Sequence, residues 1–537
     1  MVSTGWNYAD VWEWIAERFG DETALLHGSK ETSWSDFDRR ADGVARTLVD
    51  SGLEQQDKVA QYCRNKPEYL ESTFAAFKAG LVPVNTNFRY GPSELAHLWS
   101  DSDTAAVVFD EEFAETCEQI RSRMRIKVWL CIGERCPDWA IPYEQAAADS
   151  SAEPHDHFRA AWGRSGDDLD LLYTGGTTGM PKGVMWRQND LFQMVERQYG
   201  RRPPVECDLD GYLGRLEKVG PRVLPAPPLM HGTASWYSRA ALDAAGSVVT
   251  LASRSFDPVE LLDAAVSRRV KGLCIVGDAF ARPIIKELDE HPGRWDLSGL
   301  RVIMSTGAMF SRECKERFIE IVRNVIVVDG LGTSESGTLG TSVATEPSKV
   351  GTARFSRSEN VRVIDSDGND IEPGSGEPGR LAVGGFLPVG YYKDPEKSSD
   401  TFITLRGQRY AVAGDWATVD ADEMITLLGR GSNCINTAGE KVYPEEVEEA
   451  LKRATGVRDA AVVGLPDERF GQVVIGVVEL EPGTEFDEIA LISHVKTSLA
   501  GYKAPKAVLR VDAIARHPNG KVNYVAAKMA AESEWHG

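Results

Sequence analysis

Short apolar segments alternate with amphipathic stretches along most of this chain, and that alternation limits the available folds more than any other feature. Ala105–Asp110, Val248–Leu251, Leu273–Val276, Val302–Ser305 and Val325–Val328 read as strands, each followed by a helical pattern. Apolar runs without a polar face suit strands buried on both sides, so the expected architecture is α/β with largely parallel sheets. Arg357–Leu428 departs from this pattern. Turns at Asp365-Ser366-Asp367-Gly368 and at Pro373-Gly374 separate short strands such as Val361–Ile364 and Arg380–Val383, predicting a smaller antiparallel unit attached to the large body.

A second compact unit begins near Ser432. Its first helix opens at Pro444, carries Glu445, Glu446, Glu448 and Glu449 early and Lys452 and Arg453 late, and ends at Gly456. Acids at a helix start and cations at its end complement the dipole, and the acidic run reads as a solvated face. Strands Ala460–Gly464 and Gln472–Leu480 and a helix over Phe486–Ala500 complete an α+β unit. The expected domains are therefore 1–431, a large multi-subdomain α/β body of mixed sheets, and 432–537, a small mobile α+β domain.

Charge and cysteine content exclude several classes. The 537 residues include 60 Lys+Arg against 81 Asp+Glu, a net −21, so no cationic excess exists to displace counterions from nucleic acid. Eight cysteines without a C-x-x-C pair read as reduced thiols rather than a disulfide framework. Asp10 and Glu13 interrupt any signal-peptide core, and no uncharged stretch reaches the roughly 18–20 apolar residues of a membrane span. A cytoplasmic protein without an integral membrane segment is expected, and the assembly considered is a homodimer.

One segment points to chemistry. The apolar Leu171-Leu172-Tyr173 runs into Thr174-Gly175-Gly176-Thr177-Thr178-Gly179-Met180-Pro181-Lys182-Gly183. Glycines let backbone N–H groups converge on one point, and hydroxyls with Lys182 add donors and charge, a composition suited to polyphosphate. Gly183 follows Lys182 where the common P-loop requires Ser or Thr.

This segment resembles the signature Y-T-S-G-T-T-G-x-P-K-G of the adenylate-forming superfamily of acyl-CoA synthetases, peptide-synthetase adenylation domains and luciferases, with Gly175 replacing Ser. Further segments match the family in order: Leu229-Met230-His231-Gly232, Asp329-Gly330-Leu331-Gly332-Thr333-Ser334-Glu335, Tyr410-Ala411-Val412-Ala413-Gly414-Asp415, Leu428-Gly429-Arg430, the run Gly439-Glu440-Lys441-Val442-Tyr443-Pro444, and Pro518-Asn519-Gly520-Lys521-Val522. The resemblance implies an AMP-forming carboxylate–CoA ligase using ATP, Mg²⁺ and CoA. Attack of the carboxylate on the α-phosphate gives acyl-adenylate and pyrophosphate, and the thiol then displaces AMP.

By the same resemblance, Thr174, Gly175, Gly176, Thr177, Thr178, Gly179 and Lys182 hold phosphates. Glu335 ligates Mg²⁺ with Thr177 as a second contact, Asp415 and Arg430 hold ribose, and Lys521 is the mobile adenylation residue. Adenine is placed between the backbone of Gly307-Ala308-Met309 and the side chain of Leu331, with Asp329 near its amino group, and Gly330, Gly332, Thr333 and Ser334 belong to the same nucleotide site. Leu331 replaces the usual Tyr and removes aromatic stacking. Ser432 stands at the hinge, and Gly439, Glu440 and Lys441 lie toward CoA. His231, Trp236, Ile275, Val276, Phe280, Met304 and Met309 are the expected acyl pocket, whose apolar lining disfavours charged acids. The runs Gly183–Gln188 and Val276–Pro283 resemble bacterial fatty-acid and steroid side-chain acyl-CoA synthetases. Alternatives are a ligase for aromatic acids, an enzyme loading a carrier-protein thiol, and a non-catalytic nucleotide binder.

Overall fold

The computed structural model describes residues 5–148, 156–176, 179–308, 310–349, 354–430, 435–437, 440–467, 471–499, 501–517 and 521–535. The chain divides into two compact units. The first comprises Met1–Thr338, Val343–Val350 and Gly384–Phe402, and the second Leu339–Ser342, Gly351–Val383 and Ile403–Gly537. The antiparallel strands, which the turn pattern attaches to the larger body, thus group with the C-terminal residues.

The first unit contains an eight-stranded sheet ordered Gly390–Tyr391, Gly179–Arg187, Leu169–Gly176, Val82–Asn85, Lys58–Tyr62, Thr104–Asp110, Val128–Ile132 and Ile141–Pro142. From Leu169–Gly176 onward, neighbours in that order are parallel. Every residue of Thr104–Asp110 is buried, as the unbroken apolar run predicts. A second set of strands runs Lys30–Ser33, Thr23–His27, Ser247–Thr250, Arg222–Pro225, Gly272–Ile275, Val302–Thr306 and Ile326–Thr333, parallel after its first pair. Leu273, Ile275 and Ile303 point from one face into a core shared with the helices Pro258–Ser267, Gly277–Glu290 and Arg312–Ile321.

One local expectation fails. The segment after Val325–Val328 is not helical: the strand continues to Thr333, and Gly337–Ala344 follows as its neighbouring strand. Glycine makes this turn possible. A Cβ on Gly332 would lie 2.8 Å from the Gly337 carbonyl oxygen, and Gly337 itself has φ +72°.

The second unit holds the antiparallel strands Arg354–Arg357, Met424–Arg430, Asp415–Val419 and Gly379–Val383 in that order, with Val361–Ile364 paired to the last. It also holds a C-terminal sheet in which Val457–Asp467 and Gly471–Leu480 pair antiparallel and Ala507–Val511 runs parallel to the latter. Pro444–Lys452 is a helix with Pro at its start. Its acids are not all solvated, contrary to the expected polar face. Glu448 and Glu449 are buried, and Glu448 accepts the Val462 N–H at 2.9 Å. Burial raises the Glu448 carboxyl, with Lys452 opposing that rise.

Candidate active site

The Gly/Thr-rich segment is the tip of a hairpin. Leu169–Gly176 pairs antiparallel with Gly179–Arg187, placing Thr174 opposite Lys182 and Gly176 opposite Gly179. The route is strand to strand, unlike the strand-to-helix path of a P-loop. Gly183 is dictated by packing, since a Cβ there would sit 2.6 Å from Leu171 Cδ2 and 2.8 Å from the Tyr173 ring. Thr177 and Thr178 lie outside the described residues. For Gly175, Gly176 and Gly179 only the backbone is described.

Asn85 locks this hairpin to the segment before His231. Its amide donates to the Tyr173 and Met230 carbonyls at 2.8 and 2.7 Å, while its own oxygen accepts the Tyr173 N–H at 2.6 Å. Trp186, on the returning strand, donates to the Ser334 carbonyl at 3.0 Å and thereby fixes the segment carrying Glu335.

Four side chains from distant positions meet at the hairpin. Lys182 Nζ is 3.0 Å from Asp394 and 5.8 Å from the Tyr391 ring centre. The Tyr391 hydroxyl donates to Glu335 Oε1 at 2.8 Å. Asp394 caps the helix Pro395–Thr401 by accepting the Lys397 N–H at 3.0 Å. Lys182 first, then that amide, hold the Asp394 carboxyl below its usual range. Glu335 and Tyr391 are buried, whereas Lys182 is half-exposed and its ion pair screened. The arrangement joins a cation to a buried carboxylate by one phenol. Glu335 has acceptor capacity beyond the Tyr391 bond, which fits a hard cation that keeps most of its waters.

Asp329 and the glycines after it occupy the end of the strand Ile326–Thr333. Parallel pairing sets Asp329 beside Ser305 and Gly330 beside Thr306, next to Gly307, which has φ +90°, and Ala308. The Asp329 carboxylate is 2.6 Å from Lys315 Nζ, with both side chains buried. Leu331, Thr333 and Ser334 are half-buried and Gly332 is exposed; Thr333 Oγ1 lies 2.9 Å from Ser336 Oγ. Met309 lies outside the described residues.

The expected acyl residues divide between two faces of a sheet. Cys274 pairs with Met304, and the Tyr199 hydroxyl approaches Met304 Sδ at 3.5 Å. Tyr237, on the helix Gly232–Leu242, lies over Gly272 on that same face. Trp236, on the same helix, meets Trp186 edge-on at 6.0 Å. Ile275 and Phe280 instead belong to the opposite core, where Phe280 packs on Phe256 at 4.7 Å. The alternation of side chains along the strand separates Ile275 from Met304. His231 is half-buried just before the helix Gly232–Leu242, and Val276 precedes the helix Gly277–Glu290.

In the second unit, Asp415 and Arg430 are directly opposed in an antiparallel pair, so residues 15 apart in sequence become neighbours. Asp415 is buried. Only the backbone of Arg430 is described. Gly429, with φ +103°, lets the chain pass Glu445: a Cβ would be 2.0 Å from its Oε2. Lys521 is exposed, and its carbonyl accepts the His517 N–H at 2.8 Å, closing a short return beside the Arg516–Val522 bridge. Ser432 and Gly439 lie outside the described residues; Glu440 and Lys441 form strand backbone whose side chains are not described.

Sequence reasoning missed Asn85, Trp186, Lys315, Tyr391 and Asp394. Only Asp394-Pro395 carried a local signal, a cap residue followed by proline at the first helical position.

An α/β body with a glycine-rich hairpin, a buried carboxylate and an acid at the C-terminal end of a parallel strand defines a nucleotide-binding enzyme of the adenylate-forming type. Residues 12–392 match the family described as AMP-binding enzyme, and residues 446–521 its C-terminal domain. The chain belongs to the AMP-binding enzyme family. It is 40% identical over 535 residues to a Mycolicibacterium smegmatis protein named medium/long-chain-fatty-acid–CoA/3-oxocholest-4-en-26-oate–CoA ligase, covering 98% of this chain and 96% of that protein. It is 37% identical to a Rhodococcus rhodochrous protein named 3-oxocholest-4-en-26-oate–CoA ligase, covering 97% and 95%. Its fold matches the crystal structure of the anthranilate CoA ligase AuaEII in complex with anthranoyl-AMP, with TM-score 0.84 at 20% identity over 99% and 98% of the two chains. Among the described residues, no helix is long and apolar enough to cross a membrane.

Proposed function

We propose that this chain is an AMP-forming carboxylate–CoA ligase acting on a bulky hydrophobic acid, of the fatty or steroid side-chain class. The observation that carries the reading is the meeting of Lys182, Tyr391 and Glu335 beside the glycine-rich hairpin. The relatives in Mycolicibacterium and Rhodococcus, named for fatty and 3-oxo-steroid acids, support the substrate class. So do Trp236 and Met304, buried apolar side chains among those expected to receive the acyl group.

The chemistry brings a carboxylate onto a polyanion, so the protein's task is positioning and charge neutralisation. Lys182 exchanges Asp394 for the outer phosphates, and hairpin N–H groups and hydroxyls complete the cradle. Tyr391 orients Glu335, which with Thr177 would hold Mg²⁺. Bound there, the ion would supply positive charge against the departing pyrophosphate. Asp415 and Arg430, placed opposite one another by their strands, bind ribose. Lys521 bridges the substrate carboxylate and the α-phosphate in the first half-reaction and withdraws before the thiol attacks. The free thiols among the described cysteines suit a cytoplasmic location.

Acid-dependent exchange of labelled pyrophosphate into ATP, across a panel from acetate to long-chain and steroid side-chain acids and without CoA, tests this reading. Exchange is expected with the bulky apolar acids. An active profile restricted to acetate or amino acids contradicts the substrate class, and no exchange with any acid contradicts the activity.

A further inference from the structure

We propose that Lys315 is a positioning residue for nucleotide selectivity: it holds Asp329 as an anionic, acceptor-only group that takes the exocyclic amine of adenine and rejects 6-oxo purines. The proposal rests on the nucleotide site assigned above.

The geometry begins with the helix Arg312–Ile321. Its cap Ser311 accepts the Cys314 N–H at 3.3 Å and donates its own N–H to Asp278 Oδ1 at 2.8 Å. Asp278 stands at the start of the helix Gly277–Glu290, whose Gly277 N–H donates to Ser305 Oγ at 2.8 Å. Both helices are therefore tied to the strand end beside Asp329. From the first of them Lys315 reaches Asp329 Oδ2 at 2.6 Å, with side chains only 2% and 10% exposed. Phe310 lies 5.5 Å from the ammonium and borders it with an apolar ring.

Such a site imposes a choice on the carboxyl group. Burial without a cation favours its neutral form, which presents an O–H donor, whereas an adjacent ammonium favours the anion, which accepts only. An amino group at purine C6 donates to that anion. A carbonyl at the same position places two acceptors face to face. The strand register sets Asp329 beside Ser305, two residues before Gly307, at the strand end assigned to the base, so its charge state bears on the base rather than on the phosphates. Lys315 thus selects the base without touching it.

The test compares ATP with inosine triphosphate, which carries oxygen in place of the amine, in acid-dependent pyrophosphate exchange. Lys315→Met is expected to lower the ATP preference about tenfold, one charge-assisted hydrogen bond's worth, through a higher KM for ATP rather than a lower kcat. Lys315→Arg is expected to keep the preference. Asp329→Asn and the double variant Lys315→Met/Asp329→Asn should share one reduced preference, because Lys315 acts only through Asp329. The double variant removes both charges of the Lys315–Asp329 pair together, so it serves if Lys315→Met alone does not fold. An unchanged ATP preference in Lys315→Met, or a double variant less selective than Asp329→Asn, overturns the proposal. Calorimetric titration of both nucleotides into the same proteins reads selectivity without turnover. A chain lacking ligase activity therefore still decides the role of Lys315.

Discussion

At the residue scale, the side chains that complete the site are those whose partners are remote in sequence. Glu335 and Lys182 stand in recognisable motifs, yet the phenol between them comes from Tyr391 and the counter-ion from Asp394, 212 positions from Lys182. No periodicity announces such residues, because their surroundings are assembled only by the fold. The same holds for Lys315, which reads as one more charge on an amphipathic helix and is 2% exposed. Tyr391→Phe deletes the hydroxyl that orients Glu335 and leaves the ring in place. We expect acid-dependent pyrophosphate exchange to fall about tenfold, the equivalent of about 1.4 kcal/mol for a buried hydrogen bond to a charged group. A rate within about twofold of the parent, taking half of a hydrogen bond's usual effect as the limit, would remove Tyr391 from the account.

At the element scale, the parallel strands were legible because burial on both faces produces continuous apolar runs. The ion network beneath the N-terminal helices was not, because charges in sequence read as surface. Lys78, fully buried at the end of Pro67–Lys78, meets Glu13, Asp38 and Asp42 at 2.8, 2.6 and 2.7 Å. Arg164 and His157 add further bonds to Glu13 and Asp38, so the segment entering the glycine-rich hairpin is held on three helices. Removing one partner from such a network costs about 3–5 kcal/mol, since a buried charge is left uncompensated.

The network also sets a pH dependence. The hydrogen bond to Asp38 raises His157 to about 9, above its ordinary 6.5. A raised folded value means that protonation favours the folded state. This contribution is complete below about pH 6.5 and disappears as pH rises through about 9. The thermal midpoint should therefore decline across that window, and His157→Gln should flatten that part of the decline. An identical slope in the variant would show that His157 does not supply it.

At the scale of the whole molecule, the ordered motifs disclosed the family and the α/β class, whereas the grouping of Arg354–Arg357 and its neighbouring strands with the C-terminal residues depended on long-range contacts. The placement of the expected acyl residues was only partly legible. Composition identified apolar residues, but strand parity sends Met304 and Ile275 to opposite faces, and Phe280 packs in the core that holds Ile275. On the role proposed for Lys521, present in the first half-reaction and withdrawn in the second, we expect residues 432–537 to turn about Ser432. Ser432→Pro should reduce thioester formation more than pyrophosphate exchange, because proline restricts the backbone rotation. Equal losses in both half-reactions would argue against a hinge there.

A net charge of −21 makes the gathering of ATP, CoA and a carboxylate a local problem, which the proposed function assigns to hairpin N–H groups, Lys182, Lys521 and a cation that Glu335 would hold. The most direct measurement is the product balance from ATP, CoA and a long-chain or steroid side-chain acid. The account predicts AMP, pyrophosphate and acyl-CoA in equal amounts, with no AMP unless the acid is present. ADP with inorganic phosphate, or nucleotide turnover independent of the acid, would contradict it.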